Sequence, residues 1–288
     1  ASMCAISGID MALLDLKGKV LGVPCYELLG GAYRKDILLY ANYWFTKGGH
    51  NEADYAEQAR AVKAAGFTGL KFDPFAHTNY FYGEDLASNL TLTPAQQDLA
   101  FNVSKAVREA VGPEVDIMIE THAMLNYRIA VKMAERLATL DIAWYEEPAG
   151  PESSQTLRAM RERIPSDVAI CVGERHYTRF GIRSLLEKHV CDIIMPDITR
   201  CGGPSEMKRM ATMAEAYQVL LAPHNPNGPL STLASSHVCA SVPNFFRQEF
   251  MFNDVPWRDT VIDHPIADMV YDGHLHLSDR PGLGVDLV

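Results

Sequence analysis

The chain has 288 residues, of which 48% are hydrophobic, and its formal net charge is −10 at pH 7. This length and composition allow one large core, and α/β barrels of this size commonly form a single domain. The balance of 36 acidic against 26 basic residues argues against a nucleic-acid partner and suits a protein that gathers cations.

The six cysteines have neither the paired spacing of a zinc site nor the spacing of a disulfide framework. We therefore expect reduced thiols, as in the cytoplasm. No apolar run approaches the length of a membrane span, and the amino terminus lacks a signal-peptide pattern. These features predict a soluble, cytoplasmic protein with no membrane partner.

Predicted helices and strands alternate from the start of the chain. A helical pattern opens the sequence, and a strand is predicted at residues 37–45. Next come a helix capped by Asn51 and ended by Gly66, and then the strand GLKF. The segment Thr93-Pro94-Ala95-Gln96 combines a capping box with proline at the first helical position, which predicts a helix over residues 93–111.

A strand at residues 116–120 and five further helix–strand pairs complete the pattern. The five helices are predicted at residues 129–140, 154–163, 182–189, 204–217 and 229–240, and the strands after them at residues 142–147, 168–174, 191–197, 219–224 and 245–250. Eight strands with continuous apolar character predict an α/β fold, a TIM-like (β/α)7β barrel. A doubly wound open sheet would give the same alternation. We assign residues 1–33 to a helical lead-in and residues 34–288 to the barrel domain.

A long loop, residues 74–92, follows the second predicted strand. It carries a cluster of ring side chains: Phe75, His77, Tyr80, Phe81 and Tyr82. Loops of this length often take part in binding or catalysis. We therefore expect these rings to cover a ligand.

Three glutamates, Glu120, Glu146 and Glu174, lie at the ends of successive predicted strands. In a parallel barrel the carboxyl ends of all strands open on one face. Carboxylates that converge there repel one another unless a cation neutralises them, and oxygen ligands suit a hard ion, Mg²⁺ above all. Each glutamate taken singly can be a solvated charge, but three in register favour a metal site.

Other polar side chains end the remaining strands. Asp197 and His224 end adjacent strands, and an aspartate bonded to an imidazole makes that ring a better base. Lys71 can bind a substrate carboxylate or stabilise an enolate, Asp73 can accept from a substrate hydroxyl, and His176 can contact the substrate. For each of these residues taken alone, an ordinary position at the surface or rim is the alternative.

In combination, the motifs resemble the barrel domain of the enolase superfamily, and most closely the acid-sugar dehydratases of its mandelate racemase subgroup. They are AISGIDMALLDLKGKVLGVPCYELLGG, GLKFDPF, WYEEP, GERHYTRFG, MPDITRCGG, PHNPNGP and FRQEF. The resemblance covers nearly the whole chain. It implies a Mg²⁺-dependent hydro-lyase that converts an aldonate-like acid sugar to a 2-keto-3-deoxy acid through an ene-diolate.

The resemblance also implies a role for each site residue. The metal ligands are Glu120, Glu146 and Glu174, the base is His224 oriented by Asp197, the acid is His122, Lys71 holds the substrate carboxylate, and Glu249 hydrogen-bonds the substrate. Relatives that work on both faces of the substrate carbon have Lys-x-Lys on the second strand, where this chain reads Lys71-Phe72-Asp73. A catalytic base on a single face of the substrate carbon favours elimination over racemisation.

Two alternatives stay open, together with three further expectations. The alternatives are an epimerase or cycloisomerase on the same scaffold, and a non-catalytic barrel that binds a sugar acid. The family's amino-terminal α+β capping domain is expected to be absent from this chain. Glu120 stands where many relatives have aspartate, which lengthens the reach of this ligand. We also expect a homo-oligomer.

Overall fold

The computed structural model describes residues 2–46, 51–75, 91–252 and 255–288. Its helices are α1 (Ser2–Leu21), α2 (Cys25–Leu28), α3 (Glu52–Ala64), α4 (Pro94–Val111), α5 (Tyr127–Ala138), α6 (Ser154–Arg161), α7 (Thr178–Glu187), α8 (Pro204–Glu215) and α9 (Pro229–Ala240). Its strands are β1 (Asp36–Asn42), β2 (Gly69–Phe72), β3 (Asp116–Glu120), β4 (Trp144–Glu146), β5 (Ile170–Val172), β6 (Ile193–Ile194), β7 (Leu220–Leu221), β8 (Gln248–Met251), β9 (Val270–Tyr271) and β10 (His274–His276). Short 3-10 helices lie at Trp44–Thr46 and Ile266–Asp268.

The strands form one sheet that is mainly parallel, as predicted. β1 to β7 pair in chain order, each in parallel with the next, and β8 pairs in parallel with β1. Backbone hydrogen bonds also join β7 to the segment before β8, from Leu221 N to Asn244 O and from Phe246 N to Leu221 O, each 2.9 Å long. The fold is therefore mixed α/β and resembles a TIM barrel.

Local sequence chemistry explains where several helices begin and end. The side chain of Asn51 accepts a hydrogen bond from Asp54 N at the start of α3, and Gly66, at φ +90°, follows the end of that helix. Thr93 and Gln96 form the predicted capping box before α4. Such side chains satisfy backbone N–H groups that have no partner within the helix.

Several strands differ in extent from the prediction. β2 and β3 match it, but β1 ends at Asn42 because Tyr43 adopts φ +68° and a 3-10 turn follows. β6 and β7 have two residues each, although the apolar runs around them are longer. The antiparallel pair β9 and β10 has no counterpart among the predicted elements, and it joins the sheet where Asp36 pairs with His276.

Buried apolar residues form two clusters. The larger one includes most of the buried aliphatic and aromatic side chains of the strands and helices. The smaller one consists of Tyr40, Met118, Trp144, Cys171, Ile193, Met195 and Ala222. Within it the rings of Tyr40 and Trp144 meet edge to face with centroids 5.1 Å apart. This smaller cluster supports the polar site, because Lys71 Nζ lies 5.7 Å from the centroid of the Tyr40 ring.

Hydrogen bonds join helix α1 to the first turn of α8. The carboxylate of Asp10 accepts hydrogen bonds from the backbone N and the hydroxyl of Ser205, both 2.8 Å long. Gly203, at φ +84°, is the N-cap of α8, and a Cβ there would lie 2.6 Å from Asp10 Oδ2. Glycine is therefore required at this position, both for its backbone conformation and for the space that Asp10 occupies.

None of the helices in the described part of the chain combines the length and the apolar character that crossing a membrane requires.

Candidate active site

The structure brings the three predicted glutamates together. Glu120 and Glu146 are paired in the register of β3 and β4, and Glu174 follows β5. One carboxylate oxygen from each lies within 4.8 Å of the others. Their exposed fractions are 3%, 0% and 6%. Among the described residues, this is the one group of three or more His, Cys, Asp or Glu side chains placed to hold a metal ion.

Electrostatics within this triad favour a cation. Burial and the charge of Glu120 raise the pKa of Glu146 well above its usual value. Burial also opposes ionisation of Glu120, but the charges of His122 and Lys71 outweigh it and hold the pKa of Glu120 well below its usual range. The two carboxyl groups therefore compete for one proton, and a divalent ion can replace that proton. The donor set is oxygen only, which fits Mg²⁺.

Lys71 lies inside this acidic cluster. Its Nζ is 2.5 Å from Glu146 Oε1, 2.9 Å from Glu249 Oε1 and 3.4 Å from Glu120 Oε2. Burial lowers the pKa of Lys71, but the charges of Glu146 and Glu249 outweigh this effect and raise it well above its usual value. The ammonium group is therefore a permanent positive charge beside the triad.

Glu249 is fully buried at the end of this network. Its Oε1 accepts a hydrogen bond from Asn42 Nδ2 (2.6 Å), and its Oε2 accepts one from Asn225 N (2.5 Å). Together with Lys71, these donors hold the carboxylate rigidly. The structure thus places Glu249 beside the triad, and its contact with the substrate, which the family resemblance implies, stays a prediction.

Asp197 and His224 form the predicted pair. Asp197 Oδ2 is 3.0 Å from His224 Nδ1, and Asp197 Oδ1 accepts hydrogen bonds from the backbone N and the hydroxyl of Thr199. The other ring nitrogen, His224 Nε2, is 2.9 Å from Glu174 Oε2. Burial lowers the pKa of His224, but the charges of Glu249 and Glu174 and the hydrogen bonds with Asp197 and Glu174 raise it to about 10. In this arrangement the ring is an imidazolium at neutral pH.

A second histidine–aspartate pair lies at the end of β3. His122 Nδ1 is 3.0 Å from Asp73 Oδ2, while Asp73 Oδ1 accepts a hydrogen bond from Phe75 N at 2.7 Å. Burial lowers the pKa of His122, but the charge of Glu120 and the hydrogen bond with Asp73 raise it above its usual value. Asp73 is therefore a buried partner of His122, a role that its position two residues after Lys71 does not reveal.

Sequence reasoning misses two residues that contact the triad. Trp144 Nε1 donates a 2.7 Å hydrogen bond to Glu146 Oε2. Arg175 Nε lies 3.0 Å from Glu174 Oε1. Alternation along a strand could have indicated Trp144, which precedes Glu146 by two residues and points to the same side. No pattern indicates Arg175, because an arginine after a strand resembles any rim charge.

Two further predictions concern the rim of the site. His176 is half-buried, and its buried Nδ1 has no hydrogen-bond partner among the described residues. Burial lowers the pKa of His176, which favours the neutral ring. Its contact with a substrate stays a prediction. Of the predicted ligand-covering loop, Phe75 is fully buried, and His77, Tyr80, Phe81 and Tyr82 lie outside the described residues.

Family models match both parts of the chain. Residues 54–288 match the model described as Enolase C-terminal domain-like. Residues 1–30 match that of the mandelate racemase / muconate lactonizing enzyme N-terminal domain. The expectation that the amino-terminal domain is absent from this chain is therefore not supported, because α1 and α2 lie within residues that its model matches.

Individual relatives and solved structures extend this similarity. The D-xylonate dehydratase of Haloferax volcanii is 33% identical over 98% of this chain and 67% of the relative. The D-gluconate dehydratase of Thermoproteus tenax is 34% identical over 99% of this chain, which spans only 54% of that relative. A crystal structure of a mandelate racemase/muconate lactonizing enzyme-like protein from Rubrobacter xylanophilus is 36% identical, with a TM-score of 0.90, over 99% of this chain and 75% of that one.

Proposed function

The chain belongs to the enolase superfamily, and we propose that it is a Mg²⁺-dependent hydro-lyase that converts an aldonate-like acid sugar to a 2-keto-3-deoxy acid. The observation that carries this proposal is the buried triad of carboxylates within 4.8 Å, flanked by two histidine–aspartate pairs. The relatives named as D-xylonate and D-gluconate dehydratases support the substrate class.

Three glutamates would hold the metal: Glu120, Glu146 and Glu174. When bound, Mg²⁺ supplies positive charge that stabilises the ene-diolate formed from the substrate carboxylate. Lys71 adds a second fixed positive charge at the same place, 2.5 Å from Glu146. Charges that are in place before the reaction stabilise a developing anion without reorganisation.

His224 would take the proton from C2 of the substrate. Asp197 holds Nδ1, so Nε2 is the nitrogen that faces the triad. This nitrogen contacts Glu174, and that contact helps to keep the ring protonated. If Glu174 held a cation, its oxygen would no longer favour the imidazolium, and the ring of His224 would be able to lose its proton and serve as the base.

His122 would act as the acid on the departing hydroxyl. Breaking the C2–H bond places a proton on His224, and breaking the C3–O bond releases hydroxide, which takes the proton of His122 and leaves as water. The resulting enol then tautomerises to the 2-keto-3-deoxy acid. Asp73 supports this role because it favours the protonated imidazole of His122.

We propose the following fold, domain division and assembly for the same protein. The sheet would be a closed (β/α)7β barrel, supported by the pairing of β8 with β1 and by the hydrogen bonds of Leu221. Residues 1–33 would form a helical lead-in, and residues 34–288 would form the catalytic barrel domain. The protein would be a cytoplasmic homo-oligomer.

Variants of the two histidines test the mechanism in D2O with Mg²⁺. His224→Asn should lose both dehydration and deuterium exchange at C2, because one base serves both. His122→Asn should lose dehydration but keep exchange. His264→Asn, at an exposed histidine, is the matched control. Dehydration by His224→Asn at near wild-type kcat, or full activity in His122→Asn, would refute the assignment.

The same experiment separates the alternatives. An epimerase or cycloisomerase would place deuterium in recovered substrate or its isomer without net loss of water. A non-catalytic protein would show neither exchange nor dehydration with any acid sugar.

A further inference from the structure

The segment that carries His122 has an uncommon backbone conformation. His122 and Ala123 have φ angles of +49° and +57°, so two consecutive residues other than glycine lie in the left-handed region. Side chains with a Cβ rarely adopt this conformation, and it persists only where surrounding contacts enforce it. The position of the His122 imidazole therefore depends on those contacts.

Backbone N–H groups of residues 122–124 donate hydrogen bonds to acceptors at, or just after, the ends of β3 and β4. His122 N donates to Glu120 Oε1 (2.7 Å), Ala123 N to Glu147 O (2.8 Å) and Met124 N to the carbonyl of residue 121 (3.0 Å). The carbonyl of His122 accepts a 2.6 Å hydrogen bond from Arg175 Nη2. Arg175 follows β5, so this contact reaches His122 from a separate strand.

The same guanidinium also contacts the triad. Arg175 Nε is 3.0 Å from Glu174 Oε1, while Glu174 Oε2 faces His224. A guanidinium is planar, and its donors have a fixed geometry. The two contacts of Arg175 therefore fix the carbonyl of His122 relative to the carboxylate of Glu174.

We propose that Arg175 is a positioning residue that holds the His122 segment in register with Glu174, so that the imidazole proton meets the departing hydroxyl. The proposal rests on the function proposed above, in which His122 is the acid. Removing the guanidinium should impair elimination more than proton abstraction, because Arg175 bonds directly to the backbone of His122, whereas the base His224 is held at Nδ1 by Asp197 and is linked to Arg175 through Glu174.

Arg175→Met removes both contacts and keeps an unbranched side chain. At saturating Mg²⁺ we expect kcat for dehydration to fall about tenfold to a hundredfold, as for a displaced catalytic group, while C2 deuterium exchange changes by less than about threefold. Arg175→Lys should not restore the ratio of dehydration to exchange, because a flexible lysine side chain lacks the planar, fixed donors with which the guanidinium holds the two acceptors relative to each other. Arg183→Met, at an exposed arginine paired with Glu187, is the matched control.

Two further measurements do not depend on turnover. Amide hydrogen exchange at Ala123 and Met124 in the substrate-free protein should be faster in Arg175→Met and in Arg175→Lys, and unchanged in Arg183→Met. Mg²⁺ affinity, measured by calorimetry, should weaken in Arg175→Met, because Glu174 loses a donor.

Two results would overturn the proposal: unchanged amide exchange in both Arg175 variants, or an equal fall of dehydration and C2 exchange at saturating Mg²⁺. If Arg175→Met does not fold, Arg175→Lys decides by the same two criteria. If the wild-type protein dehydrates no acid sugar, the proposed function fails, and the amide exchange data alone decide whether Arg175 holds the segment.

Discussion

Each glutamate of the triad has an oxygen held by a donor close to it in sequence. The donors are His122 N for Glu120, Trp144 Nε1 for Glu146 and Arg175 Nε for Glu174. Such hydrogen bonds orient ligating carboxylates and set metal affinity. The strand-end pattern predicts the glutamates but not their donors, because a tryptophan within a strand resembles a core residue and a backbone N–H has no signature in the sequence.

Trp144→Phe tests whether the donor of Glu146 affects the affinity for Mg²⁺. The substitution keeps an aromatic ring and removes the N–H that donates to Glu146. We expect Mg²⁺ to bind about ten times more weakly or worse, because Glu146 loses its orientation. Titration calorimetry on the substrate-free protein measures the change. Trp257→Phe, at a tryptophan that is 63% exposed, should bind Mg²⁺ like the wild type, and equal affinities in all three proteins would contradict this role of Trp144.

Helix starts that carry a capping signal are more predictable than the bounds of strands. Asn51 and Thr93 are local capping signals, and the helices α3 and α4 begin where those signals place them. Strand bounds depend on which residues find partners in the neighbouring strand, so β6 and β7 are shorter than their apolar runs. β9 and β10 depend on pairing with β1, from the other end of the chain, and no local pattern shows such pairing.

Helix α8 offers a test of a contact between distant elements. Its N-cap is Gly203, which has no side chain, and Asp10 of α1 supplies the capping carboxylate to Ser205 instead. Asp10→Ala should lower the free energy of unfolding by about 1 kcal/mol, as loss of a cap does. Urea denaturation measures this change. Asp268→Ala, at an exposed aspartate, is the control, and equal stability of the two variants would show that Asp10 does not cap α8.

At the scale of the whole molecule, the two ends of the described chain pack together. Leu283 N donates to Asp15 Oδ1 (2.7 Å), Cys25 N donates to Gly282 O (2.8 Å), and Lys19 pairs with Asp286. The alternation of elements predicted the parallel sheet and the face on which the site lies. Local sequence patterns do not indicate these contacts between the ends, because the contacts join residues far apart in sequence.

Stability should depend on pH and Mg²⁺ together. The pKa of His224 is raised from 6.5 to about 10 in the fold. Its stabilising contribution is therefore full below pH 6.5 and lost as the pH rises through about 10. In scanning calorimetry, the Tm of the EDTA-treated protein should fall between about pH 7 and about pH 9, and Mg²⁺ should raise Tm more at the higher pH, because binding displaces a proton.

His224→Asn removes this titrating group and should reduce the pH dependence of the Mg²⁺ effect. A Tm shift with Mg²⁺ that is the same at both pH values in the wild type would contradict the linkage. No shift at either pH would argue that the triad does not bind the ion.

A panel of substrates measures whether the protein dehydrates an acid sugar and whether the reaction depends on Mg²⁺. Aldonates and related acid sugars that differ in stereochemistry at C2 and C3 are incubated with the protein, and 2-keto-3-deoxy acid is measured with Mg²⁺ and after treatment with EDTA. The proposed function predicts that at least one acid sugar is converted with Mg²⁺, that EDTA abolishes the conversion and that His224→Asn does not catalyse it. Absence of keto acid from every member of the panel, with a folded protein and Mg²⁺ present, would contradict the proposed function.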